Sequence, residues 1–213
     1  MRKLTIFNTH DQSFNEIKNR RRMTDGPSED DIMYKPRTGD EMEAALDHKV
    51  PIHLYSDLAQ LCERHTPIQV LANMFKRSNK HIILLQDPDK MESGHWISVS
   101  KNPRKKEMYF FSTYGGKPDV EKIKWISEED RRRSNQLINV LNDGLEECQK
   151  HGWEIHYNDY PYQVEGDKSA TCGIYTVAFL QSGKNPDEFR EETLKIQDKG
   201  INPAVFYFKK YFK

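Results

Sequence analysis

The chain has 213 residues, of which 36% are hydrophobic and 31% charged, which fits one compact domain or one domain with an extension. Its 33 basic and 33 acidic residues cancel, so no overall charge directs it to nucleic acid or anionic lipid. The sequence shows no membrane span, no secretory signal, and too few cysteines for a disulfide framework. We therefore expect a soluble, intracellular protein with no membrane partner.

The N-terminal part is charged and interrupted by turn residues. This pattern predicts an extension over residues 1–50 and a single domain over residues 51–213. One helix is predicted from Gly39 to Leu46 with Asp40 as its cap, and another from Ser56 to His65 with Ser56 as its cap.

Three apolar runs separated by polar turns predict a β-meander over residues 81–86, 95–100 and 107–112. A turn centred between Pro103 and Arg104 would set His95 opposite Ser112. The same register would set Trp96 opposite Phe111, and Ile97 opposite Phe110.

The second half of the chain is predicted to be mostly helical. A long helix over residues 127–150 would bury Leu137, a short strand would follow near residue 155, and an apolar helix would begin at Cys172. Two amphipathic helices over 186–196 and 202–212 would complete an α+β fold, with helices flanking a central sheet.

Cys172 lies at the predicted start of its helix, after Ser169 and Thr171, which could cap it. Unpaired N–H groups and the helix dipole at such a position favour an anion, which lowers the pKa of a thiol and makes it nucleophilic. Its own backbone N–H could form half of an oxyanion hole. A buried structural cysteine is the alternative on this segment alone.

A nucleophilic thiol also needs a base, and His95 is the best of the eight histidines for this role. It follows Gly94 at the start of a predicted strand, where a residue is exposed at the rim of a sheet. The other histidines lie in charged surroundings.

Three segments together resemble one family. Gly94-His95-Trp96, the run from Phe110 to Gly115, and the stretch from Tyr162 to Gly173 look like the adenain-type cysteine proteases. That family belongs to the superfamily of SUMO-specific and ubiquitin-like-protein proteases. The resemblance covers about residues 80–183 and is greatest to maturation proteases of adenoviruses, African swine fever-like viruses, virophages and related transposons.

The resemblance implies a papain-like fold with a mixed central sheet and the catalytic cysteine at a helix N-terminus. It implies catalytic roles for His95, Ser112, Gln163 and Cys172. Ser112 stands where the family has Asp, Glu or Asn, so either the site works as a near dyad, or Asp119 or a water substitutes for the missing group.

The oxyanion amide also departs from the family spacing. Gln163 lies nine residues before Cys172, and Glu165 lies at the usual distance of seven. Because an amide donor suits a developing oxyanion and a carboxylate opposes it, Gln163 is preferred. Trp96 is expected to contact substrate and shield the thiol–imidazole couple, although plain packing explains it equally well.

The implied function is cleavage of viral capsid or core precursors, with a preference for small residues such as Gly before the cut. The expected location is the virion and the host cytoplasm, the expected state is a monomer, and an activating peptide or DNA are candidate partners. No metal or other cofactor is expected. A protease that removes ubiquitin-like proteins and an inactive binding module are the alternatives.

Two other functions, zinc binding and nucleic-acid binding, have some support in the sequence. Cys62 with His65, and Cys148 with His151, form Cys-x-x-His pairs at helical spacing that could hold zinc, but neither has the short loop typical of zinc modules. Nucleic acid could contact the basic segments, but solvated helix faces explain most of them better. These segments are 20–22, 104–106, 131–133 and 206–213.

Overall fold

Five strands form one sheet in the computed structural model, which describes residues 26–86, 94–163 and 168–212. In chain order the strands are β1 (Ile52–Leu54), β2 (Lys80–Gln86), β3 (Gly94–Asn102), β4 (Glu107–Ser112) and β5 (Glu154–Tyr157). They lie side by side in that same order. The central three are antiparallel, which confirms the predicted meander, while β1 and β5 run parallel to their neighbours at the two edges.

Helices cover both faces of the sheet. Those before β3 are α1 (Glu29–Tyr34), α2 (Gly39–Ala45), α3 (Tyr55–Leu61) and α4 (Pro67–Phe75). Those after β4 are α5 (Val120–Trp125), α6 (Glu128–Arg133), α7 (Val140–Lys150), α8 (Cys172–Ser182), α9 (Pro186–Gln197) and α10 (Pro203–Tyr211). The predicted α+β architecture is confirmed. None of the helices in the described residues is long and apolar enough to cross a bilayer.

The core has two halves because strand side chains alternate between the two faces of the sheet. Trp96 and Phe111 lie with the side chains of α8, α9 and α10. Ile97 and Phe110 lie on the other face, with the side chains of α3, α4 and α7. Helices therefore cover both faces of the sheet, and the ends of the strands are the parts left open for a functional site.

The register of the β3–β4 hairpin differs from the prediction by two residues. Val99, not Ile97, pairs with Phe110, and Ser98, not Trp96, pairs with Phe111. The connection is a four-residue loop in which Asn102 Oδ1 accepts the N–H groups of Arg104 and Lys105, rather than a two-residue turn. A slip of two preserves which residues share a face, because the side-chain period of a strand is two.

The predicted helix over residues 127–150 is two helices. The first ends at Arg133, Asn135 adopts a left-handed conformation with φ 59°, and the second begins at Val140. Leu137 lies in the break and is 47% exposed, so its predicted burial is wrong. Ser127 caps the first of the two helices, because its side chain accepts the N–H of Asp130.

The two helices near the N-terminus also differ in their caps. Thr38, rather than Asp40, caps α2, and the helix predicted from Ser56 begins at Tyr55 without a side-chain cap. In the second half, Gly183 ends α8 with φ 66°, as expected for a glycine at this position.

Residues of α1 and α2 contribute to the core although they precede residue 51. Ile32 and Met42 are almost fully buried in the same half of the core as α8. The Arg37 guanidinium donates to the carbonyls of Asp31 and Lys35 and lies over the ring of Phe208. The boundary at residue 51 stays a prediction, and the residues before it pack directly on the domain.

A buried histidine pair joins β1 to β2. His81 is fully buried, its Nε2 lies 3.0 Å from the Ser78 carbonyl oxygen, and its Nδ1 lies 3.0 Å from Nε2 of His53. Because a carbonyl only accepts, Nε2 of His81 carries the hydrogen and its Nδ1 accepts from His53. Burial lowers the pKa of His81 to about 4.

We expect this pair to make the fold sensitive to acid. An unfolded histidine gains a proton near pH 6.5, whereas folded His81 gains one only near pH 4. Stability is therefore lost as pH falls between these values, by up to about 3 kcal/mol. Urea unfolding at pH 7 and pH 4.5 should show this loss, and H81Q should reduce it. The exposed control H65Q should retain the wild-type loss, and an unchanged pH dependence in H81Q would contradict the assignment.

Candidate active site

Cys172 is the first residue of α8 and lies beside the N-terminal end of β3. Thr171 is the N-cap residue, but its side chain makes no capping hydrogen bond, contrary to the prediction. Backbone N–H groups of Trp96, Gly173 and Cys172 itself are directed at the thiol and lower its pKa. The sulfur therefore sits in a nest of amide donors from a strand and a helix.

The pKa of the Cys172 thiol is nevertheless raised above its usual value. Burial is the largest cause, and the negative charge of Glu121 adds to it. The predicted lowering by the helix N-terminus is present but is outweighed by desolvation. The resting sulfur is a neutral thiol, so it needs a base to become a nucleophile.

His95 is the second residue of β3 and shares a cleft with Cys172. The cleft has a volume of about 410 Å³, and its lining includes His95, Cys172 and Gly94. Gly94 permits the close approach of β2, because a Cβ there would lie 3.0 Å from the carbonyl oxygen of Leu85. The imidazole contacts the rings of Tyr114 and Trp125, with centroids 4.7 and 5.0 Å away.

The imidazole is neutral at rest. Burial lowers the pKa of His95 to about 3, because the ring is 3% exposed and a charged ring there would lose its hydration. A neutral imidazole next to a neutral thiol can accept the thiol proton through whichever ring nitrogen carries no hydrogen.

The Ser112 hydroxyl contacts one nitrogen of the His95 ring, as the sequence predicts. Its Oγ lies 3.0 Å from His95 Nε2, although Ser112 pairs with Ile97 in the sheet and is only a diagonal neighbour of His95. Asn158 fixes the Ser112 backbone, since its amide accepts the Ser112 N–H and donates to the Ser112 carbonyl. The hydroxyl is thus held rigidly beside the imidazole.

A carboxylate that the sequence did not point to completes this side of the ring. Glu121 on α5 is 6% exposed, its Oε2 lies 3.4 Å from His95 Nε2, and its Oε1 accepts the Ser112 hydroxyl. Glu121 and Trp125 are four residues apart, share a helix face and both contact His95, but this spacing is common to all helices and does not single them out in the sequence.

Asp119, considered as a substitute orienting group, has another task. Its Oδ2 accepts the N–H groups of Leu141 at 3.1 Å and Asn142 at 2.8 Å, so it caps the first turn of α7. Nearby, Lys122 is fully buried, and its ammonium donates to the Tyr55 hydroxyl and to the carbonyl of Ile138. These contacts fix α5 and thereby the position of Glu121.

Gln163 is buried and lines the same cleft as Cys172. Its amide oxygen accepts the Thr113 hydroxyl, and its amide nitrogen donates to the carbonyl of Ser169. The Ser169 bond uses one of the two amide hydrogens. The structure brings Gln163 to the site, and the alternative, Glu165, lies outside the described residues.

Trp96 lies between the cleft and the core. It is 8% exposed, lines the cleft, and donates its indole N–H to the carbonyl of Arg37 at 3.0 Å. Arg37 also abuts the helix of the nucleophile, because a Cβ at Gly173 would lie 2.9 Å from its Cβ. Pro36 lines the cleft as well, so residues before α2 form one wall of it.

The zinc alternative finds no geometric support in the described part of the chain. There, potential ligand atoms of three residues lie within 4.8 Å of one another at Glu107, Glu154 and His156. Neither predicted Cys-x-x-His pair belongs to such a group, and Cys62, Cys148 and Cys172 are free thiols.

The basic side chains of the segment over residues 131–133 make contacts within the protein. Arg132 pairs with Glu128 at 2.9 Å, and Arg133 pairs with Asp130. Arg131 donates to the carbonyl of Ile126. The segment over residues 20–22 lies outside the described residues.

Comparison with known proteins gives one sequence relative. No protein-family model matches the chain. An uncharacterised protein, V9, of Sputnik virophage is 27% identical over 135 residues, which cover 63% of this chain and 69% of the relative.

Solved structures of one SUMO protease overlap loosely with this chain. The SUMO protease Ulp1 with its catalytic cysteine oxidised to a sulfenic acid superimposes with a TM-score of 0.35 at 12% identity, over 85% of this chain and 86% of the other. The C-terminal Ulp1 protease domain in complex with Smt3, the yeast orthologue of SUMO, gives 0.37 at 11% identity over the same shares. Overlaps this loose do not identify reacting side chains.

Proposed function

We propose that this chain is a cysteine endopeptidase in which Cys172 is the nucleophile and His95 its base. The observation that carries the proposal is the shared cleft, in which a thiol at a helix N-terminus and a buried imidazole lie together. Ser112 and Glu121 occupy His95 Nε2, which leaves Nδ1, on the other side of the ring, for the thiol proton.

The chemistry is acyl transfer in two stages. In the first, the Cys172 proton passes to His95 Nδ1, the sulfur bonds to the scissile carbonyl carbon, and the resulting oxyanion collapses as the C–N bond breaks. The proton on Nδ1 goes to the leaving amine. In the second, water gives a proton to His95 and attacks the thioester, which releases the acid and restores the thiol.

Backbone and amide donors are placed to stabilise the oxyanion. The N–H of Cys172 is one donor directed into the site, and the side-chain amide of Gln163 lines the same cleft. Preorganised donors of this kind contribute about 3–4 kcal/mol each to acyl-transfer transition states. Trp96 forms part of the wall against which substrate would lie.

We further propose that the substrates are viral capsid or core precursors, cut after small residues such as Gly. Two observations support this: the order His95, Ser112, Gln163, Cys172 resembles that of viral maturation proteases, and a 27% identical relative comes from a virophage. The same chemistry would serve removal of a ubiquitin-like protein. Rates on a Gly-containing precursor peptide and on a ubiquitin-like conjugate separate these two substrate classes.

The reactivity of the thiol tests the enzyme assignment without a known substrate. We expect an iodoacetamide probe to label Cys172 about tenfold faster than Cys62 or Cys148, because Cys172 shares its cleft with His95 and has amide donors directed at its sulfur. Peptide mapping by mass spectrometry gives the rate at each thiol, and H95A should remove the difference. Equal labelling of all three thiols, unchanged in H95A, would instead indicate an inactive binding module.

A further inference from the structure

The hydroxyl of Ser112 lies between two groups, and its hydrogen bonds define a direction. It donates its single proton to Glu121 Oε1, and it accepts the backbone N–H of Tyr114 at 3.3 Å. A carboxylate has no hydrogen to give, so this orientation of the hydroxyl is fixed by Glu121. Ser112 Oγ therefore has no proton to donate to His95, and it can only accept a hydrogen bond from His95 through a lone pair.

This direction sets the tautomer of His95. Because Ser112 Oγ accepts at the 3.0 Å contact, His95 Nε2 must carry the hydrogen. In a neutral imidazole with hydrogen on Nε2, Nδ1 carries an open lone pair. That lone pair is what a base needs in order to take the proton of Cys172.

The charge of Glu121 matters once the proton has moved. Transfer of the thiol proton to Nδ1 makes the ring an imidazolium in a buried environment, where an isolated cation is strongly disfavoured. The carboxylate oxygen 3.4 Å from Nε2 stabilises this cation, which a serine hydroxyl alone does not. Glu121 thus offers the charge that the family places at the position of Ser112.

We propose that Glu121 is the positioning residue of this active site. It holds His95 in the Nε2–H form through the hydroxyl of Ser112, and it stabilises the imidazolium formed after proton transfer from Cys172. The inference rests on the proposed function and adds a fifth member, contributed by α5, to the four predicted catalytic residues.

The first test replaces the charge and keeps the shape. An amide at position 121 can donate to Ser112 Oγ, which frees the hydroxyl proton for His95 Nε2 and favours the wrong tautomer. We expect E121Q to lower kcat/KM on a Gly-containing peptide by about 10²-fold. The matched control E128Q, at an exposed glutamate on α6, should leave it unchanged.

The second test moves the carboxylate. In the double variant S112D/E121Q, an aspartate takes the place of the hydroxyl and can accept directly from His95 Nε2, so we expect kcat/KM to recover at least about tenfold over E121Q. S112D alone brings two carboxylates into contact and should be less active than the double variant. A residue that only supports the fold would show no such rescue.

The pH profile gives an independent readout. The acidic limb of kcat/KM reports protonation of the resting His95 imidazole, and without the charge of Glu121 that protonation occurs at lower pH. We expect the limb of E121Q to move to lower pH and that of the double variant to return. Circular dichroism on each variant verifies that the chain is folded.

The outcomes separate this inference from the protease assignment. Activity of E121Q within twofold of wild type would overturn it, as would a loss without rescue and without movement of the acidic limb. The labelling rate of Cys172 is measured on the same variants. If no peptide is cut by any variant but E121Q still slows labelling and the double variant restores it, the protease assignment fails and the role of Glu121 stands.

Discussion

Replacing Cys172 with alanine is expected to abolish peptide-bond cleavage, with a fall in kcat/KM of at least about 10⁴-fold on a Gly-containing peptide. Among the described residues that line the cleft, Cys172 is the one thiol. It shares the cleft with the His95 imidazole and has amide donors directed at its sulfur. The fold should survive, because alanine removes one partly buried sulfur atom and keeps the helix start.

The control for this variant is C148A. Cys148 is also a partly buried thiol on a helix, and it packs in the other half of the core. We expect C148A to cleave at the wild-type rate. Retained cleavage in C172A, or equal loss in both variants, would contradict the assignment of the nucleophile.

The largest effect on stability is expected at Phe111. Its ring is fully buried and stacks on Phe179 with centroids 4.5 Å apart and planes 9° from parallel. It also meets Phe189 edge-on at 5.5 Å. Because β4 carries Ser112 and α8 begins with Cys172, this stack ties together the two elements that supply opposite sides of the site.

F111A should therefore lower the free energy of unfolding by about 3–5 kcal/mol through lost burial and the cavity left behind. Urea denaturation monitored by circular dichroism measures this. L137A, a large-to-small change at a residue that is 47% exposed, should cost less than about 0.5 kcal/mol. A cost below about 1 kcal/mol for F111A would show that the stack is not a main support of the core.

Local pattern was enough to predict four of the five strands and the last three helices, while β1 was not predicted. Apolar runs marked β2, β3 and β4, and the starts of α8, α9 and α10 lie within one residue of the predicted positions. The register was missed because hairpin pairing depends on loop geometry, and Asn102 makes a longer loop than the two-residue turn assumed. The break before α7 was missed because hydrophobic period alone cannot register a left-handed residue such as Asn135.

The residues of the candidate site likewise divide into those that local pattern predicts and those that it does not. His95, Ser112 and Cys172 could be proposed because each lies in a short segment with its own pattern, and the structure places His95 with both of the others. Their catalytic roles remain proposals. Glu121 could not be found in this way, because its partner lies on another element and its own segment carries no distinctive spacing. A carboxylate whose role depends on a tertiary contact leaves no recognisable pattern in the sequence.

The segment of Pro36, which lines the cleft, and Arg37, which binds Trp96, has a practical consequence for protein production. A recombinant fragment trimmed to residue 51 would discard the carbonyl that anchors the Trp96 indole and the guanidinium stacked on Phe208. It would also expose the surface of α8 beside Gly173 to water. A minimal fragment suited to enzymology must start upstream of α1, near Ser28, which caps that helix.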